Sequence, residues 1–258
     1  MYINRREEIL RYLNRTAKIT VKELSDQLRV SEMTIRRDLN KMEAEGVVKR
    51  SFGGVMLSSE QVTAQLLPVR AANMPAAKRR MAMMAGKFIE DGDSVLLDSG
   101  TTILELSRIL AKKAVSIVTS SLLIAETAGN SAAGIHLSGG VLDPHYQTMM
   151  GRAAERYYED INCKYAFVSA GGVSVKGGIT EFTEDAASLK RIMLAHAKVG
   201  ILVVDSTKFN TIQMFRAAKL DDIDLVITDR QPSREYVDFF QENEIELMVA
   251  DEEAPENM

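Results

Sequence analysis

The run Val-Gly-Ile-Leu-Val-Val at 199–204 constrains the fold more than any other segment. Six consecutive residues without a polar side chain, bounded by Lys198 and Asp205, leave no face for water. A strand of that kind is buried on both sides, as strands of a parallel sheet are between two layers of helices. Shorter apolar runs recur at 94–97, 115–118, 135–137, 166–168 and 225–227, with helical periodicity at 103–110, 122–128 and around 186–197. This alternation points to an α/β domain with a parallel sheet flanked by helices. In such sheets ligands sit beyond the carboxyl ends of the strands.

The segments at those ends carry the candidate chemistry. Asp98-Ser99-Gly100-Thr101-Thr102 follows one strand and opens a helix, bringing backbone amides, a glycine and three hydroxyls to a place where the helix dipole favours an anion. The string is neither a Walker A loop nor a GxGxxG fingerprint, and Ser and Thr also serve as ordinary N-caps. Thr119-Ser120-Ser121 and Ser138-Gly139-Gly140 close the next two strands in the same manner, which favours one shared pocket. Asp205-Ser206-Thr207-Lys208 ends the 199–204 run, where Lys208 offers a point charge to a phosphate and Asp205 binds hydroxyls or steadies the lysine. Gly177-Gly178-Ile179-Thr180-Glu181 sets a carboxylate after a glycine turn. Glu184, Asp185 and Lys190 beyond it read as a solvated helix start with favourable N-terminal acids.

A chain of 258 residues is long enough for one large domain or a large and a small one. Its net charge of −4 conceals an asymmetry. Residues 1–55 hold 12 Lys or Arg against 8 Asp or Glu, whereas the remaining 203 hold 20 against 28. A basic head on an acidic body is the charge pattern of a phosphate-contacting module joined to a sensing or catalytic domain. In the head, Ile9, Leu10 and Leu13 form the stripe of a first helix. Thr20-Val21-Lys22-Glu23 has the form of a capping box opening a second, with Val21, Leu24 and Leu28 as its core face. Ser31 caps a third helix, 31–45, that stops at Gly46, so 20–45 reads as a helix-turn-helix. Ile35, Leu39 and Met42 share one side of the third helix. Met33, Arg36, Arg37, Asn40 and Lys41 spread over the other, and Thr34 near its start is placed to touch base edges or backbone. A solvated basic helix face would carry the same residues, but 47–55 adds a hairpin wing turning at Gly53-Gly54, with Lys49 and Arg50 placed along a phosphate backbone.

The string VKELSDQLRVSEMTIRRDLNKMEAEGVVKRSFGGV at 21–55, with its TIRRDL core and Arg50-x-x-Gly53-Gly54, resembles the deoxyribose-repressor (DeoR) family of bacterial transcriptional regulators. The resemblance implies that 31–45 is a recognition helix and that Arg36 and Arg37 contact DNA. Ser31, Thr34, Lys41, Lys49 and Arg50 complete the candidate DNA-binding set. The resemblance extends over 78–229, where the DSGTT string, Ser-Gly-Gly at 138–140, Gly-Ile-Thr at 178–180 and Asp-Ser-Thr-Lys at 205–208 look like that family's sugar-phosphate effector domain. That domain is similar in fold to ribose-5-phosphate isomerase and the coenzyme A transferases. It implies an effector pocket lined by Asp98, Ser99, Gly100, Thr101, Thr102 and Lys208, to which the neighbouring strand ends add Thr119, Ser120, Gly139, Gly140 and Glu181. Ile103, Ser120 and Gly172-Val173-Ser174 depart from the family's usual residues and bear on which effector is bound.

The expected organisation is a winged helix-turn-helix over 1–57, a linker over 58–77 containing Pro68 and Pro75, and an effector and oligomerisation domain over 78–258. A helix is expected from 78 through Phe88 and Ile89 to the turn Asp91-Gly92-Asp93, with Met81, Met83 and Met84 as core filler. The lone Cys163 excludes an internal disulfide and reads as a buried thiol. With His136, His145 and His196 it gives no metal-ligand spacing, so neither metal nor cofactor is expected. No apolar run approaches the roughly 20 residues of a membrane span, and the first residues lack a signal peptide's apolar region, which leads to a cytoplasmic expectation. The function expected is a DNA-binding transcriptional regulator, a repressor of a carbohydrate-use operon. Its partners are double-stranded operator DNA, a phosphorylated sugar and further copies of itself in a dimer or tetramer. One alternative is a sugar-phosphate isomerase with Glu181, Glu184 or Asp185 as base and Lys208 stabilising an enediolate, although an isomerase does not need the head. The other is a DNA binder without an effector.

Overall fold

The computed structural model describes residues 5–16, 18–44, 48–51, 54–57, 70–71, 73–129, 134–144 and 146–250, and the chain divides into two units, Met1–Pro75 and Ala76–Met258. In the first, helices α1 (Arg5–Arg15), α2 (Val21–Leu28) and α3 (Glu32–Ala44) precede a hairpin of β1 (Val48–Ser51) and β2 (Gly54–Leu57). Thr20 caps α2 with a complete capping box, its hydroxyl accepting from Glu23 N at 3.1 Å while its own amide donates to the Glu23 carboxylate at 2.7 Å. Arg29, in the left-handed region at φ 53°, ends α2 and turns the chain toward Ser31, whose hydroxyl accepts from Thr34 N at 3.3 Å. Ile9, Leu13, Leu24, Ile35, Leu39, Met42, Val48 and Val55 are buried together, with Val21 and Leu28 partly buried against them. The Leu10 side chain, Gly46 and Gly53 lie outside the described residues.

The wing differs in detail from the expectation. Ser51 pairs with Gly54, so Gly54 begins β2 and is not part of the turn. Ile19 explains the glycine: it bonds Val55 in both directions, and a Cβ on Gly54 would lie 2.8 Å from the Ile19 carbonyl oxygen.

The second unit comprises α4 (Pro75–Gly86, starting at the boundary), β3 (Ser94–Leu97), α5 (Thr101–Leu110), β4 (Ser116–Thr119), α6 (Leu122–Ala128), β5 (Ile135–Leu137), β6 (Val141–Asp143), β7 (Thr148–Met150), α7 (Arg152–Glu159) and β8 (Cys163–Val168). It continues through β9 (Gly172–Ser174), β10 (Gly178–Glu181), α8 (Glu184–Ala195), β11 (Ala197–Val203), β12 (Phe215–Ala218), β13 (Leu225–Thr228), α9 (Arg234–Glu242) and β14 (Glu246–Val249). Helix α4 differs from the expectation at both ends and in one of its methionines. It begins three residues before 78, with Pro75 in the first helical position that suits its fixed φ and missing donor. It also ends at Gly86 without running on through Phe88 and Ile89, because the Lys113 ammonium donates to the freed carbonyls of Gly86, at 2.9 Å, and Ile89. Of its methionines Met81 is buried and Met84 partly so, but Met83 is 49% exposed and fills no core. Most of the expected linker, 58–69, lies outside the described residues.

Seven strands form one parallel sheet in the order β14-β13-β11-β8-β3-β4-β5. Alternate residues serve opposite faces. Val95, Leu97, Ile117, Phe167, Ile201, Val203 and Ile227 join Met81, Ile103, Leu106 and Ile124 of α4, α5 and α6. Leu96, Val118, Ala166, Val168, Leu202 and Val226 face Tyr158, Leu189, Met193, Tyr236 and Phe240 of α7, α8 and α9. The sheet is thus covered on both faces, as the 199–204 run requires. From β3 the chain adds β4 and β5 on one side, then returns to β3's other side with β8. Strand order therefore reverses between β3 and β8, the kind of crevice where open α/β sheets bind ligands. An antiparallel sheet, β12-β10-β9, and the β6-β7 hairpin complete the unit. Among the described residues no helix is long and apolar enough to cross a membrane, and Cys163 is a buried free thiol.

Phe167 is fully buried on β8, between β3 and β11. Phe167→Ala is expected to lower stability by about 3 to 5 kcal/mol, read as a lower midpoint in chemical denaturation.

Candidate functional site

The carboxyl edge of the sheet is organised around buried charge. β3 runs into Asp98, whose amide donates to Phe167 O at 3.1 Å and extends the pairing with β8. One oxygen of the Asp98 carboxylate accepts from Ser169 N at 2.9 Å and Ser169 Oγ at 2.6 Å, and the other accepts from the Lys190 ammonium at 2.7 Å. The same ammonium lies 3.2 Å from Glu181, whose carboxylate accepts from Gly171 N at 3.0 Å. Asp98, Glu181 and Lys190 are all buried. Burial pushes the Asp98 carboxyl up, but the Lys190 charge and hydrogen bond, with the Ser169 bonds, hold it below its ordinary value.

Lys190 corrects the reading of 184, 185 and 190 as one solvated helix start. Glu184 and Asp185 are exposed, but Lys190 is 3% exposed on the same stripe of α8 as Ala187 and Met193. That three-residue spacing was the signal available in the sequence.

Gly100 stands at the N-cap of α5 and makes no side-chain cap. A Cβ there would fall 2.1 Å from Ser169 Oγ and 2.6 Å from Ser169 Cβ, so Ser169 occupies the space of any side chain. Thr101 and Thr102, in the first turn of α5, are buried, and Ser99 is half-buried. The hydroxyl of Thr119 is already engaged: it donates to Leu97 O at 2.8 Å, crossing from β4 to β3, and accepts from Ser121 N at 3.1 Å. Ser120 is buried, its carbonyl accepting from Met149 N at 2.8 Å. Gly139 is exposed with open space around it. Gly140, at φ 125°, approaches β7 so closely that a Cβ would lie 2.5 Å from Met150 O.

Beyond β11, Asp205 caps the short 3-10 turn Ser206–Lys208 by accepting from Thr207 N and Thr207 Oγ1, and Lys208 is half-buried. Lys208 follows a strand two places from β3, about 10 Å across at ordinary strand spacing. The fold thus brings all the expected effector residues except Glu181 to the ends of β5, β4 and β3, which are neighbours, and of β11, which β8 separates from β3, and Glu181 joins them through Lys190. Ser169, Gly171 and Lys190 belong to the same cluster and were not among the expected residues.

In the head, Arg36, Arg37, Asn40 and Lys41 are exposed on α3, opposite the buried Ile35, Leu39 and Met42. Ser31 is exposed and its hydroxyl lies 2.9 Å from that of the half-buried Thr34. Glu32 pairs with Arg36 at 3.2 Å, and Arg5 pairs with Asp38 at 2.5 Å to join α1 to α3. Arg50 binds Glu43 at 3.1 Å and the Asn40 side-chain oxygen, tying the wing to α3, while Lys49 remains exposed.

A winged helix with a cationic outward face, carried on the same chain as a doubly covered α/β unit, defines a DNA-binding regulator with a sensing domain. Residues 5–61 match the DeoR-like helix-turn-helix domain and residues 73–230 the DeoR C terminal sensor domain. The chain belongs to the DeoR family of transcriptional regulators. It is 29% identical over 246 residues to the HTH-type transcriptional repressor GlcR of Bacillus subtilis, covering 95% of each chain. It is 26% identical to the repressor CsqR of Escherichia coli, covering 97% of this chain and 96% of that one. The L-fucose operon activator of Haemophilus influenzae is 28% identical, with 88% and 92% covered. Among solved structures, ribose 5-phosphate isomerase A from Methanocaldococcus jannaschii matches at a TM-score of 0.40 and 16% identity, over 53% of this chain and 55% of that one.

Removing the cation from between its carboxylates, as in Lys190→Ala, is expected to cost about 3 to 5 kcal/mol, measured by denaturant unfolding. The Asp98 carboxyl titrates lower when folded than its unfolded value of about 3.9. Its contribution is therefore complete above about pH 4 and is lost as pH falls through the folded value. Stability measured across that acid range is expected to fall less steeply for Asp98→Asn than for the natural chain.

Proposed function

We propose that the protein represses a carbohydrate-use operon and that a phosphorylated sugar, bound at the carboxyl edge around β3 and β8, changes its operator affinity. The observation that carries this reading is the presence in one chain of an outward-facing cationic α3 and a sensor-domain fold whose strand-order reversal lies beside the Asp98–Thr102 loop. Arg37 and Arg36 read or grip DNA from α3, and Ser31, Thr34, Lys41 and Lys49 contact the backbone or nearby base edges. Arg50, held by Glu43 and Asn40, orients the wing toward the phosphates.

In the sensing unit, the amides at the start of α5 receive the phosphate, with Lys208 as a second source of positive charge. Ser99, Thr101, Thr102, Ser120, Gly139 and Gly140 shape the remainder of the pocket. Asp98, Glu181 and Thr119 act by positioning, since their side-chain oxygens are already bonded to Lys190, Ser169, Gly171, Leu97 and Ser121. That commitment favours sensing over isomerisation, because a carboxylate holding a buried ammonium is a poor general base. The cytoplasm is the compartment where such a regulator acts.

The effector works by differential affinity for two states of the protein, and linkage requires operator DNA to change effector affinity by the same factor. A symmetric dimer or tetramer presents two copies of α3 to successive major grooves, so the operator holds paired half-sites.

Selection of random duplexes by the full-length protein, repeated with a panel of sugar phosphates, tests this directly. The expected result is a paired motif whose binding one metabolite alters, with no turnover of that metabolite. A motif indifferent to every metabolite would favour a DNA binder without an effector. On the recovered motif, Arg37→Ala is expected to lose about 1 to 3 kcal/mol of specific affinity, read from titrations against operator and random DNA. Equal loss on both would restrict Arg37 to phosphate contact.

A further inference from the structure

Met33 is 76% exposed in the first turn of α3, on the helix surface opposite the buried Ile35, Leu39 and Met42. Positions 33, 36, 37 and 40 follow the spacing of one helical face, so the thioether shares its surface with Arg36, Arg37 and Asn40. The polar residues around it have partners of their own: Glu32 pairs with Arg36, and the Ser31 and Thr34 hydroxyls face each other. An apolar side chain contributes nothing to a phosphate contact. In the major groove the group that matches it is the C5-methyl of thymine.

We infer that Met33 is a specificity-determining residue that packs against the methyl group of a thymine, one or two base steps from the base read by Arg37. The inference rests on the DNA-binding reading above. Recognition helices present their N-terminal residues to base edges, and Met33 lies in that turn. Met33 and Arg37 are four residues apart, a rise of about 6 Å, against about 3.4 Å per base step along a strand. The spacing places the two side chains over neighbouring bases. Methionine is unbranched and polarisable, and it reaches and fits an irregular apolar target better than a branched side chain. Because the contact involves no ion release, its contribution is independent of salt, unlike that of the surrounding cations.

The test starts from the duplex selected by the full-length protein and replaces each thymine in turn by deoxyuridine, which removes the methyl and keeps the base pair. Within two base pairs of the guanine or other base protected by Arg37, one such replacement is expected to weaken binding about three- to fivefold, by the same factor at low and moderate salt. Met33→Ala is expected to bind the thymine duplex more weakly by a similar factor and to show no further loss on the deoxyuridine duplex. Its thermal unfolding should match the natural chain, since the side chain packs against no core. A methyl penalty that persists in Met33→Ala, or a selected motif with no methyl penalty at any thymine, overturns this inference and leaves the DNA-binding reading intact. Recovery of no motif at all overturns both.

Discussion

The ammonium of Lys190, buried between the carboxylates of Asp98 and Glu181, holds the carboxyl edge of the sheet in one arrangement. A charge removed from water must find opposite charge and hydrogen bonds, and these three groups come from the residue that follows β3, from β10 and from α8. Their mutual need fixes the end of β3 against α8 and draws the loop after β8 onto both carboxylates through the amides of Ser169 and Gly171. With Ser169 so fixed, its side chain fills the place where any Cβ at 100 would stand. The glycine, and with it the close approach of α5's first turn to β8, follows from the ion cluster and not from a local turn preference.

The head uses charge in two ways. Arg5 with Asp38, and Arg50 with Glu43 and Asn40, brace α3 from both flanks, from the first helix and from the wing. Arg37 and Lys41 stand exposed on the braced helix. The TIRRDL string therefore contains both functions within a few residues: its aspartate orients the helix, and its arginines face outward. A salt bridge at a surface adds little stability, so the value of these pairs lies in angle and register.

Much of the sheet was legible in the amino-acid order because it is buried on both faces. β3, α6 and β5 fall where the apolar runs and their boundaries place them, and the 199–204 run lies within or beside β11. The capping box at Thr20 was equally plain, since it depends on residues three apart. What escaped was structure set by distant partners. β10 pairs with β12 far along the chain, β9 and β10 are short strands that mix glycine and polar residues with single apolar ones, and β6 carries the exposed Val141 and Leu142, so none of them shows the apolar run of a buried strand. The end of α4 depends on Lys113, far along the chain. Lys190 reads in the sequence as a solvated residue because lysines are rarely buried. Only the helical stripe it shares with Ala187 and Met193 argued otherwise.

The strand order also dictates an order of assembly. β3, β4 and β5 are neighbours in sequence and can pair early, but the other side of β3 waits for β8, some seventy residues later in the alignment of Asp98 with Ser169. Until that strand arrives, β3 presents an unpaired hydrophobic edge, the kind of surface that invites pairing with another chain. The ion cluster closes later still, since its lysine lies on the helix that leads into β11. A nascent chain therefore completes the carboxyl edge of its sheet only once the helix that carries Lys190 has been made, and a product truncated before that helix would carry α3 without a finished sensor domain.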